Sequence, residues 1–168
     1  ADLAIQLARA VHVPIHPTLT GPQIAWQLHH SGCRFVFISG PHQAAKLAPL
    51  AAELPPNLQF FSYDPCESET ISLAVKSFAD LCERGNLTEG QRLEKVACDH
   101  ITDSSLATIL YTSGTTGETK GVMLTQGNLA SNACSTVAAF GEDPTALRLG
   151  FLPLSHIFAR TCDMYCWI

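Results

Sequence analysis

Apolar positions along the chain fall into short runs separated by proline, glycine and polar punctuation, and their period changes from run to run. Residues 2–9 read as the tail of a helix, and residues 11–15 as a short strand ending at Pro17. Residues 22–31 predict a helix. Pro22 suits its first position, where no intrahelical N–H bond is needed, and Gly32 suits its stop. Residues 34–39 are apolar and β-rich, Pro41 opens a helix that ends before Pro55-Pro56, and residues 58–62 read as a strand. Apolar side chains at 71, 74, 75, 78 and 82 trace one helical face over residues 69–83. Residues 85–102 are polar and charged, which marks a connector with room for a short helix. Two apolar β-type segments, 106–111 and 121–124, then enter and leave a glycine-rich loop. Thr125 is a good N-cap for a helix with apolar residues at 129, 130, 133, 134, 137 and 138. Residues 146–151 predict a strand, and a last helix starts at Ser155. Strands alternating with helices predict an α/β fold, with a mainly parallel sheet covered by helices.

Composition excludes several functions. The 168 residues are 46% hydrophobic and 15% charged, which suits one ordinary core and excludes a disordered tail. A net charge of −5 without a basic cluster excludes nucleic acid as a non-specific partner. Residues 10–33 lack Asp, Glu, Lys and Arg, but three prolines and four histidines break the run, so no transmembrane segment is predicted. Neither does the N-terminus show a signal-peptide pattern. Seven cysteines, odd in number and irregular in spacing, predict a reduced, cytoplasmic chain. Cys162 and Cys166 are spaced as two metal ligands could be, yet no second ligand pair accompanies them, and no metal ligand is assigned. His12 and His16 flank Pro14, which argues against a helix and for a packing or solvent role.

The chemistry concentrates in residues 111–121, Tyr-Thr-Ser-Gly-Thr-Thr-Gly-Glu-Thr-Lys-Gly. Gly114 and Gly117 let the backbone bend and approach a ligand closely. Backbone N–H groups in such a turn form an anion-binding concavity. Thr112, Ser113, Thr115 and Thr116 add hydroxyl donors, and Lys120 adds a mobile positive charge. Together these groups suit phosphate oxygens. The loop is not a Walker A motif, because Lys120 is followed by Gly121 and a strand rather than by Ser/Thr and a helix. Nor does it follow the Gly-x-Gly-x-x-Gly dinucleotide pattern.

Thr112-Ser113-Gly114-Thr115-Thr116-Gly117, two further residues and Lys120-Gly121 resemble the phosphate loop of the adenylate-forming superfamily. That superfamily includes acyl-CoA synthetases, luciferases and the adenylation domains of peptide synthetases. Thr119 departs from the proline or small residue usual before the lysine. Downstream, Phe151-Leu-Pro-Leu-Ser-His-Ile-Phe-Ala-Arg160 is similar to the segment that walls the acyl pocket, and it looks most like the long-chain fatty-acid branch. Ala159 stands where that branch often has an acidic residue. A weaker likeness covers residues 1–40. The resemblance implies that residues 1–168 are a fragment of the AMP-binding N-terminal domain, with 85–102 as an internal connector. It implies ATP-dependent activation of a long-chain fatty acid to an acyl-adenylate, then transfer to coenzyme A with release of AMP. ATP, Mg²⁺ and coenzyme A are the implied cofactors and co-substrates. Thr112, Ser113, Gly114, Thr115, Thr116, Gly117 and Lys120 would hold the phosphates, Lys120 would carry leaving-group charge, and His156 would shape or gate the carboxylate site. The chain reads as cut at both ends and lacks the downstream magnesium, ribose and lid residues, so the fragment alone is expected to be inactive. The rival readings are a non-catalytic nucleotide-binding remnant and an adenylating enzyme for an amino or aryl acid. Peripheral membrane contact stays open, since long-chain acyl substrates are membrane-derived, although no basic amphipathic helix is visible. Oligomeric state is not legible.

Overall fold

The computed structural model describes residues 1–66, 73–86, 99–113, 119–141, 145, 147 and 149–167. The backbone forms two compact units, one of residues 17–93 and one of residues 1–16 with 94–168. Among the described residues, no helix is long and apolar enough to cross a membrane.

In the unit 17–93, helix α2 (Gly21–Ser31) comes first in sequence, after α1 (Asp2–Leu7) of the other unit. Gln23 Oε1 accepts from the Thr20 N–H at 3.0 Å, and Gly32 closes the helix at φ 64°, as its sequence predicts. Gly21 is required for another reason: a Cβ there would collide with the Lys46 carbonyl. β1 (Phe35–Ile38), α3 (Pro41–Leu47), a 3₁₀ turn (Ala48–Glu53), β2 (Gln59–Ser62), β3 (Val75–Ser77) and α4 (Phe78–Asn86) complete this unit. The three strands pair in parallel in the order β1-β2-β3, with Val36 opposite Phe60 and Phe60 opposite Val75. Val36, Ile38, Phe60 and Phe61 are buried with Ile24, Leu28 and Leu47 of the helices.

One expected helix is partly a strand. Residues 75–77 lie in β3, and α4 begins only at Phe78. The spacing of 75, 78 and 82 fits a helix, but Val75 and its neighbours find ladder partners on β2, and tertiary pairing outweighs local period. Phe78 packs against Tyr63 and Phe37, with ring centroids 4.5 and 5.9 Å away. Most of the expected connector 85–102 and residues 69–72 lie outside the described residues.

In the unit 1–16 with 94–168, α1 (Asp2–Leu7) precedes the antiparallel ribbon of β4 (Leu106–Ser113) and β5 (Thr119–Thr125). α5 (Gln126–Phe140), α6 (Ile157–Asp163) and a 3₁₀ turn (Tyr165–Trp167) follow. Thr125 caps α5 as expected. Its Oγ1 accepts from the Asn128 N–H at 3.2 Å, and Asn128 Oδ1 accepts from the Thr125 N–H at 3.0 Å. Of the apolar face expected on α5, Leu129 is buried, Ala133 and Val137 are half-buried, and Ala130, Cys134 and Ala138 are exposed.

Two expected strands differ here. Residues 11–15 reduce to a parallel bridge between His12 and Thr108, made by His12 N–H to Ala107 O and Ile109 N–H to His12 O, both 3.0 Å. Pro14 and Pro17 have no N–H to extend it. Residues 147 and 149–151 carry no strand, and Leu147, Leu149 and Phe151 are exposed. The ladder partners of β4 among the described residues are β5 and the single bridge at His12.

Candidate functional site

The β4–β5 ribbon positions the two described ends of the phosphate-type loop. Thr112 lies opposite Lys120, and Ser113 opposite Thr119. Directly opposed residues of an antiparallel pair share a face, with Cβ atoms about 5 Å apart. Thr112 and Lys120 therefore present a hydroxyl and an ammonium side by side, and both are exposed. Tyr111 and Gly121 face the other way. A Cβ on Gly121 would sit 3.0 Å from Ile109 Cγ2 and 3.3 Å from the Tyr111 ring, so glycine leaves room for that ring beneath the lysine. Gly114, Thr115, Thr116 and Gly117 lie outside the described residues.

His156 is exposed at the start of α6, where it is the N-cap. Its Nδ1 accepts from the Phe158 N–H at 3.3 Å. A neutral imidazole that accepts at Nδ1 carries its proton on Nε2. The ring thus offers a donor to the outside, suited to a carboxylate oxygen.

Beneath α6 lies a polar network that the sequence reading missed. Arg160 is 1% exposed. Its Nε donates to Asp2 Oδ2 at 2.8 Å, its Nη2 to Asp2 Oδ1 at 2.7 Å, and its Nη1 to Thr108 Oγ1 at 3.0 Å. This is the two-pronged guanidinium–carboxylate pair that only arginine makes. Asp2 also accepts from Tyr165 OH at 2.9 Å and Gln6 Nε2 at 3.1 Å. His12 Nδ1 lies 2.7 Å from Asp2 Oδ1. Burial pushes the Asp2 carboxyl up, but His12 and Arg160 outweigh it and hold the group well below the usual carboxylate range. Burial also pushes the Tyr165 phenol up to about 12, against the pull of Arg160. Arg160 closes the motif quoted from the sequence, and a buried arginine needs a carboxylate. The signal was present, but its partner is 158 positions away.

Among the described residues, no group of three His, Cys, Asp or Glu is placed to hold a metal ion. Cys166 Sγ lies 3.8 Å from the Ala133 carbonyl, which it can reach as a weak donor.

Residues 1–168 match the family of AMP-binding enzymes. A long-chain-fatty-acid–CoA ligase of Mycobacterium bovis, FadD15, is 33% identical over 172 residues, covering 97% of this chain and 26% of the ligase. A Rhodopseudomonas palustris crystal structure, described as that of a long-chain-fatty-acid CoA ligase, superposes with a TM-score of 0.73 at 20% identity, over 98% of this chain and 37% of that one. ATP-bound MatB from the same organism superposes with a TM-score of 0.64 at 23% identity, over 98% of this chain and 29% of MatB. These structures share the fold. The chain spans about a quarter of the length of the curated relatives it matches.

Proposed function

The chain belongs to the AMP-binding enzyme family, and from that premise we propose that the full-length protein uses ATP to activate a carboxylic acid, a long-chain fatty acid, for transfer to coenzyme A. A carboxylate oxygen attacks the α-phosphorus of ATP, the bond to pyrophosphate breaks, and an acyl-adenylate forms. The thiol of coenzyme A then attacks the acyl carbon, its proton passes to solvent, and AMP leaves. Neither step needs a nucleophile from the protein. The first needs alignment and neutralisation of charge on the departing pyrophosphate.

The observation that carries this reading is the pairing of Thr112 with Lys120 at the end of the β4–β5 ribbon. Lys120 takes the leaving-group charge. Thr112, Ser113, Gly114, Thr115, Thr116 and Gly117 supply hydroxyl and N–H donors to the phosphates. His156 donates from Nε2 to the carboxylate and shapes its site. No cluster of three His, Cys, Asp or Glu among the described residues offers Mg²⁺ a protein cage, and a nucleotide-bound Mg²⁺ would take most of its ligands from phosphate and water. The likeness to a long-chain-fatty-acid–CoA ligase and the Pro153-Leu154-Ser155-His156 segment support the acyl class over an amino or aryl acid. Residues 1–168 are assigned to the N-terminal domain, with 85–102 as a connector, and the irregular cysteines support a cytoplasmic setting. Turnover is assigned to the full-length protein rather than to these residues alone.

Fatty-acid-dependent exchange of pyrophosphate into ATP tests the role of Lys120. Lys120→Ala should slow exchange about a hundredfold, the loss typical of one transition-state electrostatic contact. An unchanged exchange rate would sink the assignment.

A further inference from the structure

Arg160 is buried and held on three sides, although the proposed chemistry uses none of its atoms. Its backbone N–H donates to the His156 carbonyl at 3.1 Å, so the two residues span the first turn of α6. Its Nη1 donates to Thr108 Oγ1 at 3.0 Å, and that hydroxyl donates onward to the His12 carbonyl at 2.7 Å. Thr108 and Thr112 both lie on β4, four positions apart, and an even separation places them on one face of the strand. Lys120 shares that face by its pairing with Thr112. One guanidinium thus fixes the helix that begins at His156 to the face of the strand that carries Thr112, about 13 Å along it at 3.3 Å per residue. Asp2 completes the clamp by engaging Nε and Nη2 together.

We propose that Arg160 is a positioning residue, which sets His156 relative to the Thr112–Lys120 end of the ribbon and so aligns the carboxylate with the α-phosphate. Asp2 acts with it by fixing the plane of the guanidinium. This rests on the reading of His156 given above. A lysine cannot reproduce the arrangement, because a single ammonium cannot bond both carboxylate oxygens and Thr108 in fixed directions.

The test is a mutant cycle in the full-length enzyme, read as kcat/KM for the fatty acid and, separately, as KM for ATP. Arg160→Lys should lower kcat/KM for the acid about tenfold, and Asp2→Asn, which keeps the shape but replaces one of the two acceptor oxygens with an amide donor, should give the same pattern. KM for ATP should stay within about twofold in both, which a protein that merely folds less well would not show selectively. In a His156→Ala background, Arg160→Lys should add less than about threefold, because its effect runs through His156. If the His156→Ala and Arg160→Lys losses multiply, the positioning role is wrong while the role of His156 stands. If His156→Ala alone changes nothing, both fall. Equal losses for the acid and for ATP would likewise overturn the positioning role.

Discussion

Replacing Arg160 by methionine keeps much of the side-chain volume and removes the charge, which isolates the electrostatic part of the α6 anchor. The guanidinium is 1% exposed and makes three bonds, two to Asp2 and one to Thr108. Without it, the Asp2 carboxylate, 15% exposed at its side chain, keeps Tyr165, Gln6 and the His12 contact. Removing one partner of a buried ion pair costs about 3–5 kcal/mol, and these remaining donors place the expected loss near the lower end. At about 1.4 kcal/mol per tenfold, a loss of about 3 kcal/mol corresponds to roughly a hundredfold in an opening equilibrium. The Ile109 N–H, bonded to the His12 carbonyl, reports that opening. Its hydrogen exchange in the full-length protein should accelerate about a hundredfold in Arg160→Met. Pairing that change with Asp2→Asn removes the stranded charge and should recover at least tenfold of the acceleration. An acceleration below about threefold in the single variant, or no recovery in the double, would refute the view that the pair is a coupled, desolvated unit.

The same network sets a pH dependence. The Asp2 carboxyl is depressed by His12 and Arg160, so its stabilisation is present above the ordinary carboxylate pKa of about 4 and is lost as pH falls below it; Ile109 exchange, corrected for its intrinsic rate, should rise on acidification. The Tyr165 phenol is raised to about 12, so its contribution is present below about pH 10 and fades as pH climbs from there, visible as late phenolate absorbance that Tyr165→Phe removes. Gly121→Val puts a Cβ 3.0 Å from Ile109 and 3.3 Å from the Tyr111 ring; it should cost about 1–3 kcal/mol and weaken ATP binding by calorimetry, and wild-type affinity would contradict the packing described for the ribbon. Gly32→Ala forces a side chain to φ 64° and should destabilise the unit 17–93 by about 1–2 kcal/mol, read as earlier thermal unfolding, with function at permissive temperature retained.

The features legible in the sequence are those whose causes are local. Pro22, Gly32 and the Thr125 cap mark helix ends through the conformation or hydrogen bonding of single residues; Gly32 and Thr125 stand where expected, and Pro22 is second in its helix, after Gly21. The β4–β5 strands were legible because a glycine-rich stretch separates two apolar runs. β3 was not, because Val75 is apolar in either period and only β2 decides between them. The segment 146–151 misled for the opposite reason: it has strand composition but pairs with no strand at its described residues. The loop residues were assigned from side-chain chemistry, and Gly114, Thr115, Thr116 and Gly117 lie outside the described residues. The Asp2–Arg160 clamp joins opposite ends of the chain, and no local pattern holds that information.

Carboxylate attack on the α-phosphorus of ATP is the central claim, and isotope transfer tests it directly. Full-length protein should be turned over with ATP, coenzyme A and a long-chain fatty acid labelled with ¹⁸O in both carboxyl oxygens, and the AMP then weighed by mass spectrometry. One label should appear in each AMP phosphate, because the attacking oxygen stays on phosphorus when the thiol takes the acyl group. Unlabelled AMP, or label appearing in phosphate released with ADP, would contradict the account.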